Sequence, residues 1–368
     1  MKLPFTGFFQ DLHRFFAFKE LVGLDIGTSA IKFVQLARGT TVPELVNYGI
    51  LETTQYLERG NAALQTSSLK LTERGTAAHL AVLVREAGIS GADVVASLPS
   101  FAVFTAPLEI PLVPPDETAR LVSFQAKQFI PLPLSEVNLE WMKVEEFDNQ
   151  RGTRYQRLMV TAVPIATIGV YQRICRAAGL KLVGLELEYQ ALTRAIADPA
   201  ALPVLVIDIG AESTAIAIMD HGAVRQTGQT DYGGAALTQA LARSLGVSAI
   251  RAEELKRRRG LLSVAGEYDL AVSLTPFLDV ILQECMRVRG AFEDAHHVTT
   301  SGVMLVGGGA NLPGIREYVE AQLGLPVTFP RPFGTIQYPP TLEPIAKSLM
   351  NELALSIGLG LKLLTPTP

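Results

Sequence analysis

LVGLDIGTSAIKFVQL, running from Leu21 to Leu36, is the stretch that decides how this chain folds. An apolar run ends in Asp25; Gly27 and the hydroxyls Thr28 and Ser29 follow, and a second apolar run begins at Ala30. Short apolar runs bounded by glycine read as buried strands, so the stretch is strand, tight turn, strand. Glycine lets a turn take positive φ and lets a ligand approach the backbone. The N–H groups and hydroxyls of such a turn form a nest for an anion. Asp25, at the strand end, can hold Mg²⁺ through water, because that ion keeps several waters and uses few carboxylates. The same residues also fit an ordinary hairpin.

The pattern recurs. Val204 to Met219 reads VLVIDIGAESTAIAIM, with Asp208, Gly210, Ala211 and Ser213 in the corresponding turn. A further strand is predicted after each copy, over Glu44 to Glu52 and over Ala223 to Thr230. Such a duplication predicts two related domains, each presenting a phosphate loop to one shared cleft.

Composition narrows the class. The chain has 368 residues, enough for two domains, with 48% hydrophobic and 18% charged residues, so it is globular. A net charge of −4 argues against nucleic acid as the main partner. No apolar run approaches the ~18 residues of a membrane span, and the N-terminus lacks the pattern of a signal peptide. Cys175 and Cys285 each fall in a predicted helix. They make neither a disulfide framework nor a metal motif and fit a reducing cytoplasm.

Along the chain, Phe5, Phe8, Phe9, Leu12, Phe15 and Phe16 share one helical face. It is either an interfacial membrane anchor or a face packed on this protein or a partner; the short, mixed-charge polar side favours packing. Gln55 to Leu71 reads as a loop, Glu73 to Ala87 as a helix and Ala92 to Leu98 as a strand. From 101 to 180 the pattern changes to a small α/β insertion in the first domain. It comprises strands over Val103–Ile110, Val137–Val144 and Tyr155–Val163, a helix over Glu117–Ile130 stopped by Pro131, and a helix over Ala166–Ala178. The first domain therefore spans 1–100 and 181–202, and the second 203–342, with a smaller subdomain near 240–300. The last helix, about Glu343 to Leu363, contains Gly358 and Gly360, small residues that predict close packing back on the first domain.

There is no P-loop motif and no G-x-S-x-G. Gly307, Gly308, Gly309 and Ala310 match a dinucleotide loop only loosely, lacking its later acidic residue. They read instead as a turn flanking a nucleoside. Taken together, the two Asp-Ile-Gly loops, the Ala252-Glu253…Lys256 helix and the late Gly-Gly-Gly-Ala turn resemble the actin-like ATPase superfamily. The resemblance implies that the loops grip phosphates, with Lys32 as a phosphate-contacting lysine and Gly233 and Gly234 beside them. It implies that Glu253, Lys256 and Gly307 to Ala310 hold the nucleoside, with ATP and Mg²⁺ as ligands and Asp25 and Asp208 on the metal's water shell.

Within the superfamily, the insertion, with FTAPLEIPLV, QFIPLPLSEVNLEW and LMVTAVP followed by AAGLKLVGLELE, resembles the PilM family of type IV pilus assembly over nearly the full length. The FtsA family carries a small domain at the same position but ends in a basic amphipathic helix, unlike LKLLTPTP here. The relative GspL precedes a transmembrane helix, which is absent here. The PilM resemblance implies an ATP-binding cytoplasmic scaffold docked on the N-terminal tail of an inner-membrane PilN-like protein, and in contact with other pilus proteins or a second copy of itself. Phe104, Leu108, Ile110, Phe129 and Ile130 are expected to line the partner groove; the same residues also fit the insertion's own core. The alternative is an enzyme on this fold, a sugar-type kinase or active ATPase, or an FtsA-like division protein. Glu186, Glu188 and Gln190 lie where a water-orienting group would sit, or else face solvent or cap a helix. At most a slow ATPase is expected.

Overall fold

The structure, a computed structural model, describes residues 18–53, 73–149, 151–196, 203–262 and 270–364. The Phe-rich face and the loop from Gln55 to Leu71 lie outside these residues.

The first repeat opens with β1 (Glu20–Ile26), β2 (Ala30–Ala37) and β3 (Glu44–Glu52), an antiparallel meander in which Asp25 pairs with Lys32 and Ala30 with Glu52. After α1 (Glu73–Ala87) comes β4 (Asp93–Leu98), parallel to β1. The insertion contributes β5 (Phe104–Pro111), α2 (Pro115–Ala126), β6 (Val137–Asp148), β7 (Arg154–Pro164) and α3 (Ile165–Ala177). Then β8 (Lys181–Leu187) joins the first sheet beside β4, and α4 (Glu188–Ile196) leads to the second domain.

There, β9 (Val204–Ile209), β10 (Thr214–Asp220) and β11 (Ala223–Thr230) repeat the meander. They are followed by α5 (Gly234–Leu245), α6 (Ala249–Arg259), α7 (Ala271–His296), β12 (Gly302–Val306), α8 (Ile315–Leu323), β13 (Val327–Thr328) and α9 (Glu343–Leu361). The two five-stranded sheets have the same order, β3-β2-β1-β4-β8 and β11-β10-β9-β12-β13. The duplication in the sequence is thus a duplication of sheet topology.

Strand alternation explains how the halves join. Leu205, Ile207 and Ile209 of β9 face the core formed with α5, α7 and α8. Val206, with Ala217, Met219, Val224 and Val306, faces the other way and joins the core of the first domain. The helices α4 and α9 contribute to that shared core and touch strands of both sheets. Close approach depends on glycine, as the sequence indicates. A Cβ at Gly358 would overlap the Ala191 carbonyl oxygen and stand 2.6 Å from its carbon, and Gly360 packs on Leu36 of β2.

Two expectations for the insertion change. The helix α2 stops at Ala126 rather than Ile130. Pro131 pushes the residue before it out of the helical region, and only a turn survives, closed by the Ile130 N–H on Ala126 O at 3.0 Å. The proposed groove residues are also mostly core. Ile110 is fully buried, and Leu108 and Ile130 are buried with Val122, Leu158, Val160, Val137 and Ala162 between α2 and the β5-β7-β6 sheet. Phe104 and Phe129 are half-buried against the same clusters. A three-stranded sheet covered by one helix needs these side chains for its own interior, so they are not free to take up a ligand.

Candidate functional site

The two Asp-Ile-Gly turns close alike. The Gly27 N–H donates to Ala30 O at 3.0 Å, and the Gly210 N–H donates to Ser213 O at 3.0 Å. A Cβ would crowd that acceptor in both, at 3.0 and 2.9 Å, which is why each turn needs glycine. Behind the first turn, the Thr53 N–H donates to Ser29 O at 2.7 Å and its hydroxyl to Thr28 O at 3.3 Å. Behind the second, the N–H groups of Gly234 and Ala235 donate to Gly210 O and Ala211 O at 2.9 and 2.8 Å. Gly233 and Gly234 therefore lie directly on the second turn. β12 runs parallel to β9 with Val306 opposite Asp208. The turn that follows packs Gly307, at φ +82°, against the Asp208 carboxylate and Gly309 against Ile209, while Gly308 faces open space. Both sheets thus bring glycine turns to the carboxyl ends of their strands, where open α/β sheets bind ligands.

Charge gathers at the same place. Asp25 Oδ1 accepts a hydrogen bond from Ser97 Oγ at 2.9 Å. Burial raises the Asp25 carboxyl above its ordinary range, against the pull of Lys32 and Ser97. Burial likewise pushes Asp208 up to about 6, with Lys32 opposing and Asp25 adding. Glu188 is held well above the usual carboxylate range by burial and then by Asp25 and Asp208, against the Ser100 backbone. Three carboxylates from both domains thus share one neighbourhood with Lys32, and each resists ionising there. Such a cluster favours a cation among the carboxylates, and the glycine turns offer N–H groups to an anion. A metal-bound polyphosphate satisfies both. Among the described residues no group of three His, Cys, Asp or Glu side chains could hold a metal ion.

The three candidates around α4 separate. Glu188 faces the cleft charges, and Gln190 is half-buried on the first turn of α4. Glu186 is spoken for: its oxygens lie 2.7 and 2.9 Å from the Arg194 guanidinium and 3.2 Å from Lys362 Nζ. Despite burial, Arg194 and Lys362 bring its carboxyl down to about 2. It is a buried ion-pair partner, not a water-orienting group.

Glu253 and Lys256 are also committed within the protein. The buried Lys256 Nζ donates to Gly234 O and Thr238 Oγ1, both at 2.8 Å, and lies 2.6 Å from Glu253 Oε2. An ammonium has three donors, so none is left for a nucleoside; Lys256 instead fixes the Gly233–Gly234 turn. The sequence reading missed Thr53 and Ser97, which carry no motif, and Arg257, adjacent to the quoted helix. Arg257 Nη1 reaches Glu52 Oε1 of the first domain at 2.9 Å.

Two duplicated sheet domains with glycine turns facing one another and helices α4 and α9 between the sheets define the actin-like ATPase fold. The family model described as Type IV pilus assembly protein PilM matches residues 23–364. The chain belongs to this family. It is similar to the solved "PilM-PilN type IV pilus biogenesis complex", with a TM-score of 0.79 and 25% identity over 94% of this chain and 99% of that one. The fold is shared with the ethanolamine utilization protein EutJ of Carboxydothermus hydrogenoformans, with a TM-score of 0.54 and 18% identity over 93% and 89% of the two chains. It is shared too with ADP-bound MreB5 of Spiroplasma citri, with a TM-score of 0.52 and 13% identity over 92% and 94%. Cell division protein FtsA of Pseudomonas aeruginosa is 27% identical over 363 residues, covering 86% of this chain and 84% of that protein. Among the described residues no helix is long and apolar enough to cross a membrane.

Proposed function

We propose that this chain binds ATP·Mg²⁺ between its two repeated domains. It acts as a cytoplasmic scaffold of type IV pilus assembly, peripheral to the inner membrane and docked on the N-terminal tail of a PilN-like protein. The observation that carries this reading is the likeness over 94% of the chain to a structure of PilM with PilN. The turns at Gly27–Ser29 and Gly210–Ser213 hold the phosphates, Lys32 adds a cation, and Asp25 and Asp208 orient the metal's waters. The Gly307–Ala310 turn and the Gly233–Gly234 turn, held in place by Lys256, flank the nucleoside. The tail lies between the insertion and the first domain, outside the insertion's own core. Glu188 supports a second reading, slow ATP hydrolysis, because it is the candidate that faces both aspartates.

Calorimetry tests the proposal. ATP·Mg²⁺ at about a hundred times its Kd should stabilise the fold by ~2.7 kcal/mol, and a synthetic PilN N-terminal tail should bind the full chain in isothermal titration. An unchanged melting midpoint at saturating nucleotide overturns the nucleotide reading. A tail that binds no better than a scrambled peptide overturns the scaffold reading.

A further inference from the structure

Glu52 is the last residue of β3, opposite Ala30 and directly before Thr53. Thr53 is hydrogen-bonded to the Thr28 and Ser29 carbonyls of the first turn. Arg257 lies in the last turn of α6 in the second domain. Its Nη1 stands 2.9 Å from Glu52 Oε1 and its Nε 2.8 Å from Glu253 Oε1. The other Glu253 oxygen pairs with Lys256, which holds Gly234, which in turn bonds Gly210 of the second turn. A continuous path of bonded groups therefore runs from one glycine turn to the other, and Glu52–Arg257 is its interdomain step.

We propose that Glu52 and Arg257 form a clasp that closes the cleft over bound nucleotide and sets its rate of release. This rests on the nucleotide reading given above. Glu253 holds the guanidinium fork in place, so Glu52 meets a pre-oriented partner. The pair itself is exposed, with side chains 61% and 49% accessible. Water competes with it, and exposed ion pairs are weak. That weakness suits a contact that must break at every exchange. It slows opening without locking the domains, and its effect on release is about two- to fivefold.

The test is stopped-flow release of a fluorescent ATP analogue with Mg²⁺ from the full-length chain. Glu52→Ala and Arg257→Ala should each speed release about two- to fivefold, and the two combined should speed it no further than either alone, because they remove the same contact. Faster release in Arg257→Ala with Glu52→Ala unchanged means that Arg257 touches nucleotide directly and overturns the clasp, as does parental release in both variants. A second arm needs no nucleotide. Cys175 and Cys285 are buried, so spin labels at Val46→Cys and Ile250→Cys, both exposed sites, report the distance between β3 and α6. Glu52→Ala should broaden that distance distribution in the empty protein. An unchanged distribution overturns the clasp, whereas failure of the parent to bind nucleotide overturns only the reading of the cleft.

Discussion

Glu186 and Glu188 stand two positions apart, and their surroundings give them opposite roles. Both are glutamates in VGLELEYQ, and nothing in the sequence ranks them. Glu186 ends among Arg194 and Lys362, and Arg194 also donates to Gly358 O at 2.7 Å, so the carboxylate helps tie β8 to α9. Its folded pKa, about 2, lies below the ordinary 4.5. A depressed carboxylate stabilises the fold above its unfolded pKa, and that contribution is lost as pH falls from about 4.5 toward 2. Glu186→Gln should therefore cost on the order of 3 kcal/mol at neutral pH and flatten the acid limb of the stability curve, both read by urea titration from pH 2 to 7. Glu188 is raised instead, by burial and by Asp25 and Asp208. Glu188→Gln removes a carboxylate that is costly to ionise, so melting of the nucleotide-free protein should rise or hold. Any ATP hydrolysis should fall at unchanged nucleotide affinity. Equal destabilisation by both variants would mean that Glu188 is a structural partner as well.

At the scale of elements, most of the fold was legible. The strand–turn–strand pairs, the helix over Glu73–Ala87 and β4 all follow from short apolar runs punctuated by glycine or from helical periodicity. What periodicity cannot show is which apolar residues a small sheet keeps for itself; Leu108, Ile110 and Ile130 each fit a core, and it was the family resemblance that moved their segment toward a groove. The glycines of α9 were legible as packing residues because small residues recur there, though the elements they touch were not. Gly358→Ala should lower stability by roughly 3 kcal/mol or more, because its Cβ would meet the backbone of Ala191 on α4, which cannot yield like a side-chain tip. Gly290 on α7 is the contrast: a Cβ there meets nothing within 4 Å. Gly290→Ala should raise stability by about 0.5–1 kcal/mol through helix propensity. Chemical denaturation of the two variants side by side checks both, and a loss at Gly290 would point to a packing demand on α7.

In the molecule as a whole, the contacts that join domains were the least legible, because they link residues far apart in sequence. Arg257 and Glu52 are 205 positions apart and Arg225 and Glu145 are 80, and no local pattern announces either pair. The second pair ties the insertion to the second domain. β6 is an edge of the small sheet and β11 an edge of the second domain's sheet, and charge bridges them where backbone pairing does not. Arg225 Nη1 donates to Val144 O at 3.4 Å and to Glu145 Oε2 at 3.3 Å, while Asp220 Oδ2 lies 3.4 Å from its Nε. Glu145 also pairs with Arg157, which reaches Glu109 on β5 at 2.7 Å. The charges thus alternate from β5 through β7 and β6 to β11, and unlike charges side by side support one another while discouraging further strands from adding at either edge. Arg225→Ala removes only the crossing step. The insertion keeps its two internal cores and its Arg157–Glu145 pair, so global stability should fall by only ~1 kcal/mol. Hydrogen exchange should speed in β11 and in β6 around Val144 and Glu145, with the centre of β7 at Leu158 and Val160 unchanged. Uniformly faster exchange would mean that Arg225 supports the whole fold, and unchanged exchange would mean that the insertion is held by its junctions with the first domain alone.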